Sequence, residues 1–569
     1  MRSRVGKEDA IAEALRAIAH DDDDLSLATA VRMACGRVLP VGDGRTLGVG
    51  WSLLLDVVRT ATGFDDEVVI ACARTTGELA EAFGLLARRR GDAERRPGVA
   101  LRDVESTARA LASTSARAPK RALLDALFAK ATPLETKYLA KALGGGLRIG
   151  AQEGIVEAAV GRAFGASVEA VRRASALITD IGEVAMLAKH HQLDAAELTI
   201  GRPLAFMLAT PIEATTGAID PAVFAVEDKI DGIRAQVHRS GEGTVAIFVR
   251  GLDERTDAFP EIVAALRGAA GAVILDGEIV AVGPSGRPRP FQALQPRLKR
   301  THASATDLAV ATVVFVAFDR LADDSGSLLH LPWSERRAGL IAMVRALGAA
   351  TIVVHPVRAL SSAAPPELAI DAEFEAARAR GHEGIVLKRI DAPYDAGRRG
   401  QLWLKVKRAH ATLDVVVVAA QEGHGRRAGA LSDYTFAVWR DDELVVLGKA
   451  YSGLTDEAID EMTLRLEGIT VGRRGGTRLV RPEIVLEVAF DGVQRSSRHP
   501  SGFALRFPRI VRVRDDKTPA EADRLEAVQA LLANQVASGH READVPKRGR
   551  PSRRTATKRQ LSLFDDDDG

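Results

Sequence analysis

The sequence predicts a multidomain protein: an all-α N-terminal region, an α+β region with antiparallel sheets, a β-rich C-terminal region and a disordered tail. Three observations carry this. The 569 residues exceed what one hydrophobic core organises. Apolar residues recur at three and four over the first 200 positions, then give way to short β-branched runs. From residue 539 the composition shifts again, to Pro, Arg, Lys and Ser.

In residues 1–200, "LRDVESTARALAST" and "KRALLDALFAKA" have helical spacing. Glu135 to Phe164 predicts a helix stopped at Gly144-Gly145-Gly146 and a second helix after Gly150. These glycines suit a plain helix corner. They also leave room for close approach of backbone to a phosphate, with Arg148 supplying charge, although the residues alone favour the corner.

Residues 201–409 alternate strands and helices. "TVAIFVR", "AVILDGEIVAV" and "ATVVFVAFDRL" predict strands, and "ELAIDAEFEAARARG" predicts a helix ending at Gly381. In residues 410–538, "LDVVVVAAQEG", "YTFAVWR", "ELVVLGKAY" and "EIVLEVAF" predict further strands, and 521–538 a helix. Residues 539–569 form the basic tail.

Hydrophobic content of 46% and charged content of 27% fit a soluble globular chain. No apolar run reaches the roughly 18 residues of a membrane span, and "MRSRVGKEDA" lacks a signal-peptide core, so the cytoplasm is expected and a membrane is not. Cys35 and Cys72 are too few for a disulfide framework or a four-cysteine zinc site. A net charge of +2 leaves nucleic-acid binding to the local charge pattern.

Six segments occur in fixed order: "KIDGIR" (Lys229 to Arg234), "FVRGLDERT" with Arg250, "VILDGEIV" with Glu278, Phe318-Asp319, "EGIVLK" (Glu383 to Lys388) with "WLKVK" (Trp403 to Lys407), and "LRFPRIVRVRDDK" (Leu505 to Lys517). Lys405 and Lys407, two apart in an extended run, emerge on one face and can address one phosphate. Their charge is expected to lower the pKa of Lys229, since a lysine is nucleophilic only when deprotonated. Glu278 and Glu383 offer hard oxygen ligands for Mg²⁺.

This ordered set, from about Pro203 to Lys517, resembles the ATP-dependent DNA ligases of the covalent nucleotidyltransferase superfamily. The resemblance implies nick sealing in duplex DNA through a lysyl-AMP intermediate on Lys229 and a DNA-adenylate, with ATP and Mg²⁺ or Mn²⁺. It implies an OB-type barrel for the C-terminal strands and a minor-groove role for the Arg148 turn. By position, Glu227 accepts from the adenine amino group and Phe318 stacks on the base, although "VVFVAF" also suits a buried strand. Arg234 and Arg250 hold ribose and the 5′-phosphate region, and Glu278 contacts ribose as well as metal. Asp231 lies near the attacking 3′-hydroxyl, as a base or as a positioning group. Arg506, Arg509 and Lys517 cover the β- and γ-phosphates, which requires the barrel to rotate about a hinge near Lys407 to Leu413.

Two positions depart from the family pattern. Val249-Arg250-Gly251 replaces Ser-Arg-Asn, and "RLADDSG" follows Phe318-Asp319. An RNA ligase or GTP-using capping enzyme shares the lysine motif, but the long helical region and the "RFPR" form favour a DNA ligase. The missing four-cysteine zinc site disfavours an NAD-dependent ligase, and the presence of Lys229 and its acids disfavours a non-catalytic clamp-bound scaffold. In the tail, Gln560, Leu561, Leu563 and Phe564 resemble a bacterial sliding-clamp-binding pentapeptide on a flexible tether. A nucleoid-associated monomer is expected.

Overall fold

The computed structural model describes residues 3–537, except 21–22, 42, 44, 90–95, 146, 148–151, 215–218, 284–287, 290, 299–303, 305–307, 309–310, 408–410, 424–426, 428 and 475. Arg148 and the tail residues Gln560, Leu561, Leu563 and Phe564 therefore lie outside the described residues, as does the middle of the expected hinge.

From Arg4 to Lys189 the chain is helical. Its apolar stripes close two cores. One gathers Leu27, Val31, Val156, Val160 and Val184; the other gathers Val57, Phe83, Leu111, Phe128 and Leu143. The helix Pro133–Leu143 begins with a reciprocal cap, in which the Thr132 hydroxyl accepts from the Glu135 amide and Glu135 accepts from the Thr132 amide. It stops at Gly144, and Gly145 takes φ +73°, as the glycine run predicts. The following helix starts at Glu153.

The middle region is α+β and holds two sheets. The five-stranded sheet runs Leu208–Pro211, Arg399–Val406, Gly384–Arg389, Phe224–Lys229, Val357–Ala359, and is antiparallel except for its first pair. The six-stranded sheet runs Val245–Val249, Ile233–Arg239, Val273–Val282, Thr312–Asp323, Gly326–Ser327, with Ile352–Val354 parallel to Thr312–Asp323. The helix predicted to end at Gly381 runs Pro366–Ala379 and covers the first sheet through Ile370 and Phe374.

The C-terminal region is β-rich. Strand Ala411–Glu422 pairs with Val485–Phe490 over its first half and with Thr477–Val480 over its second, while Leu431–Arg440 flanks its other edge. Register shifts between Val417 and Ala419 where it exchanges partners, bending the sheet around Val415, Phe436, Leu447, Leu486 and Phe490. The predicted last helix is Leu525–Ala537, packed on that core by Leu525, Val528 and Leu532. Among the described residues no helix is long and apolar enough to cross a membrane.

Candidate active site

The site lies where the two middle sheets face each other. In the five-stranded sheet Val386 stands opposite Glu227 on one side and Lys405 on the other, and Lys388 stands opposite Trp403. Cross-strand partners share a face and side chains alternate along a strand. Glu227, Lys229, Lys388, Trp403 and Lys405 therefore face the site. Val226, Ile385, Leu387, Leu404 and Val406 take the other face, buried against the helix Pro366–Ala379.

The six-stranded sheet answers with Arg234 opposite Glu278 and Gln236 opposite Asp276. Asp276 fixes Arg234 through two hydrogen bonds of 2.6 Å, donated by Nε and Nη2, and accepts a third from the Tyr394 hydroxyl at 2.7 Å. Gly232 is required because a Cβ there would stand 2.5 Å from the Ile279 carbonyl and 2.7 Å from Glu278 Cγ. The lysine turn can thus lie directly on the strand that carries Glu278.

Phe318 is the extra residue of a bulge. Asp276 pairs with Asp319 and Gly277 with Ala317, leaving Phe318 without a cross-strand partner. Alternation already sets Phe318 on the face opposite Phe315 and Ala317, toward the site, and the bulge brings Asp319 to that same face opposite Asp276. There Phe318 meets Trp403 edge-on at 6.0 Å, with the Arg234 guanidinium 4.7 Å from its ring centre and Lys388 Nζ 3.9 Å from it. The strand is buried, as "VVFVAF" suits, and Phe318 faces the cleft from it.

At the nucleophile end, Lys229 Nζ pairs with Glu383. Lys407 Nζ lies 3.8 Å from the same carboxylate and 2.5 Å from Asp491 of the C-terminal region. Arg506 donates to both Asp231 oxygens and reaches Glu383 at 3.9 Å. The C-terminal region is therefore docked on the site. Arg509 pairs with Asp491 at 3.2 Å, whereas Lys517 pairs with Asp414 at 2.6 Å, beside Arg514. The backbone amide of Arg250 donates to the Arg234 carbonyl at 2.9 Å; its exposed side chain is among the charges acting on Lys405.

The electrostatics correct one expectation. Burial pulls the Lys229 amine down, but Glu383, Glu278 and Asp231 outweigh it, and its pKa is raised rather than lowered. Lys405 moves the other way, lowered by burial and by Arg399, Lys229, Lys407 and Arg250. Burial pushes Glu278 up to about 7, against the pull of Arg234 and Lys229. Glu383 resists its own burial and is held low by Lys229, Lys407 and Arg506.

Glu278 and Glu383 act on each other and on Lys229. No group of three acids, histidines or cysteines suited to a metal occurs among the described residues. Mg²⁺ commonly takes only one or two carboxylates and completes its shell with phosphate and water, so this pair fits it. At the far end of the groove Glu227 Oε1 is buried with no hydrogen-bond partner, while its other oxygen lies 2.8 Å from Lys388 Nζ. Arg337 Nη1 stands 3.7 Å from Oε1, too far for a hydrogen bond, so this oxygen can still accept from a ligand that brings its own N–H donor.

Sequence reasoning missed Asp276, Tyr394, Trp403 and Asp491. The first lies inside the "DGE" segment and Trp403 opens "WLKVK", so spacing from the named motifs was available for them. Nothing local marks Tyr394 or Asp491.

Comparison with known proteins agrees with this geometry. The chain matches the "DNA ligase N terminus" model over residues 2–161, the "ATP dependent DNA ligase domain" over 205–407 and the "ATP dependent DNA ligase C terminal region" over 427–517. It is 43% identical to a "Probable DNA ligase" of Koribacter versatilis, over 88% of this chain and 89% of that one. It is 37% identical to a "DNA ligase" of Methanothrix thermoacetophila, over 89% of this chain and 92% of that one. The solved structure "Pmar-Lig_PreS3" shares the fold with a TM-score of 0.58 at 18% identity, over 90% of this chain and 96% of that one. With its ordered motifs gathered in one cleft and relatives matched along nearly their whole length, the chain belongs to the ATP-dependent DNA ligase family.

Proposed function

We propose that Lys229 is the residue that carries AMP in this ligase. The reaction of the family joins a 5′-phosphate to a 3′-hydroxyl at a nick in duplex DNA, using ATP and a divalent cation. The lysine nitrogen displaces pyrophosphate from the α-phosphorus and loses a proton, giving the phosphoramidate. The 5′-phosphate of the nick then takes the AMP from the lysine. The 3′-hydroxyl finally displaces AMP and gives up its proton as the phosphodiester forms.

The observation that carries this reading is the convergence of Lys229, Glu383, Lys407 and Arg506 at one point, with Glu278 and Lys405 acting on the same amine. In-line displacement at phosphorus is catalysed chiefly by positioning and charge neutralisation. In this reading Lys405 and Lys407 neutralise the α-phosphate. Glu278 and Glu383 hold Mg²⁺ or Mn²⁺, which supplies further neutralisation there, and Glu278 also contacts ribose. A cation held on Glu383 would take that charge off Lys229 and favour its neutral form. Glu227 Oε1 takes the adenine amino group, Phe318 stacks on the base, and Arg234 and Arg250 hold ribose and the nick phosphate.

The docked Arg506 belongs to the first step, with Arg509 and Lys517 serving the pyrophosphate end. Asp231 then serves the 3′-hydroxyl, after Arg506 has left it. We further assign the C-terminal region to the OB type, on its bent sheet and the "RFPR" segment. The regions are taken as 1–200, 201–409, 410–538 and 539–569, with Arg148 in the DNA-binding part, the tail motif docking on a sliding clamp, and the chain acting as a monomer near the nucleoid.

The test is labelling with ATP. Label at the α-phosphorus should become covalently attached to the protein through an acid-labile, alkali-resistant bond, label at the γ-phosphorus should not, and Lys229→Ala should abolish it. Deleting 560–569 should end clamp capture and leave sealing of naked nicks intact.

A further inference from the structure

Asp491 is the acid on which the docked arrangement turns. It sits at the corner between strands Val485–Phe490 and Gly492–Arg495, with its side chain only 11% exposed. Its carboxylate lies 2.5 Å from Lys407 Nζ and accepts from Arg509 Nη1 at 3.2 Å. Its backbone amide donates to the Arg506 carbonyl at 2.9 Å. One residue thus touches Lys407 of the middle region and two arginines of the last motif, Arg506 and Arg509.

Without an anion between them, Lys407 and Arg509 would repel each other as they are brought together from separate regions. Attraction in a partly desolvated seam is strong enough to matter there, unlike at an open surface. The Arg506 carbonyl contact also sets the hairpin from which Arg506 reaches Asp231.

We propose that Asp491 is a positioning residue for lysine adenylylation: it latches the C-terminal region onto Lys407 and sets Arg506 and Arg509 over the site before ATP is attacked. The latch has no part once that region has swung away, so phosphodiester formation on a pre-adenylylated nick does not use it. This rests on the reading of Lys407 and the last motif as first-step groups.

Single-turnover lysine adenylylation and sealing of pre-adenylylated nicked DNA are measured for the full-length wild type, Asp491→Asn, Asp491→Glu and Lys407→Ala. Asp491→Asn should slow adenylylation about tenfold or more while sealing stays within about twofold, which also certifies its fold. Asp491→Glu, which keeps the charge, should recover part of the loss. Equal loss in both assays, unchanged adenylylation, or tighter ATP binding in Asp491→Asn (an acid that only competes with phosphate) each overturns the latch. If Asp491→Asn is insoluble, failure of Asp491→Glu to separate the two assays overturns it equally. If Lys407→Ala adenylylates normally, it is the assignment of Lys407 that falls.

Discussion

Asp231 accepts hydrogen bonds from Nη1 and Nη2 of Arg506, at 3.0 and 3.2 Å, across 275 residues of chain. The contact joins the turn that carries the nucleophile to the last motif. It also occupies the acid assigned to the 3′-hydroxyl, so Asp231 can serve only one step at a time. Arg506→Ala should therefore slow adenylylation by at least about tenfold, the scale of losing a charge-assisted bidentate contact. Gel-shift of the adenylylated protein in single-turnover mixing checks this; a rate equal to wild type would break the link between docking and the first step.

Lys517 shares Asp414 with Arg514 instead of touching the Lys229 cluster. Its assigned place at the pyrophosphate end thus requires Asp414 to release it. Lys517→Ala should impair adenylylation more than sealing of pre-adenylylated DNA. Equal loss in the two assays would remove Lys517 from the first step.

Glu383 makes the largest upward contribution to the Lys229 amine, against the downward pull of burial. The amine reacts unprotonated, so the rate should climb with pH in the wild type. In Glu383→Gln the amine titrates lower and the rising limb should move to lower pH, while the plateau should fall if Glu383 holds the metal as proposed. Single-turnover rates across pH, at saturating Mg²⁺, decide this. An unmoved limb would mean that the limb reports another group.

Glu278 is held up at about 7 by burial. The folded state keeps this proton through a window where the unfolded chain, with an ordinary carboxyl, has released it. Stability contributed by the group therefore falls as pH rises from about 4.5 to about 7. Glu278→Gln removes that dependence. It should match wild type near pH 4.5 and exceed it above pH 7, by up to roughly 3 kcal/mol. Denaturant melts at the two pH values check the sign, and activity should be lost throughout.

Much of this architecture was legible. Helical spacing marked the N-terminal region and short β-branched runs marked the C-terminal strands, but not the partner exchange along Ala411–Glu422. Period-2 alternation sufficed to put Lys229 and Glu227, or Lys405 and Lys407, on common faces. What stayed hidden depends on registers between distant strands. The Phe318 bulge arises from how Thr312–Asp323 pairs with Val273–Val282, and no local spacing encodes it. The sign of the Lys229 shift was missed for a related reason. Sequence counted the neighbouring lysines, whereas the fold brings Glu383 in from 154 residues away.

The facing of Phe318 makes the last prediction. An ordinary core phenylalanine contributes by burial alone, so leucine would replace it with modest loss. Phe318 is nearly buried at 7% exposure, yet its ring is aimed at Arg234 and Lys388. Phe318→Leu should keep the melting temperature within a few degrees while weakening ATP roughly tenfold, the scale of one lost base–aromatic stack. Phe318→Ala should lose both. Replacing Phe315, on the core face, should show the opposite balance, with stability falling and ATP affinity held in whatever fraction stays folded. Isothermal titration with a non-hydrolysable ATP analogue, paired with thermal melts, separates the cases. Equal ATP affinity in wild type and Phe318→Leu would return this ring to the core.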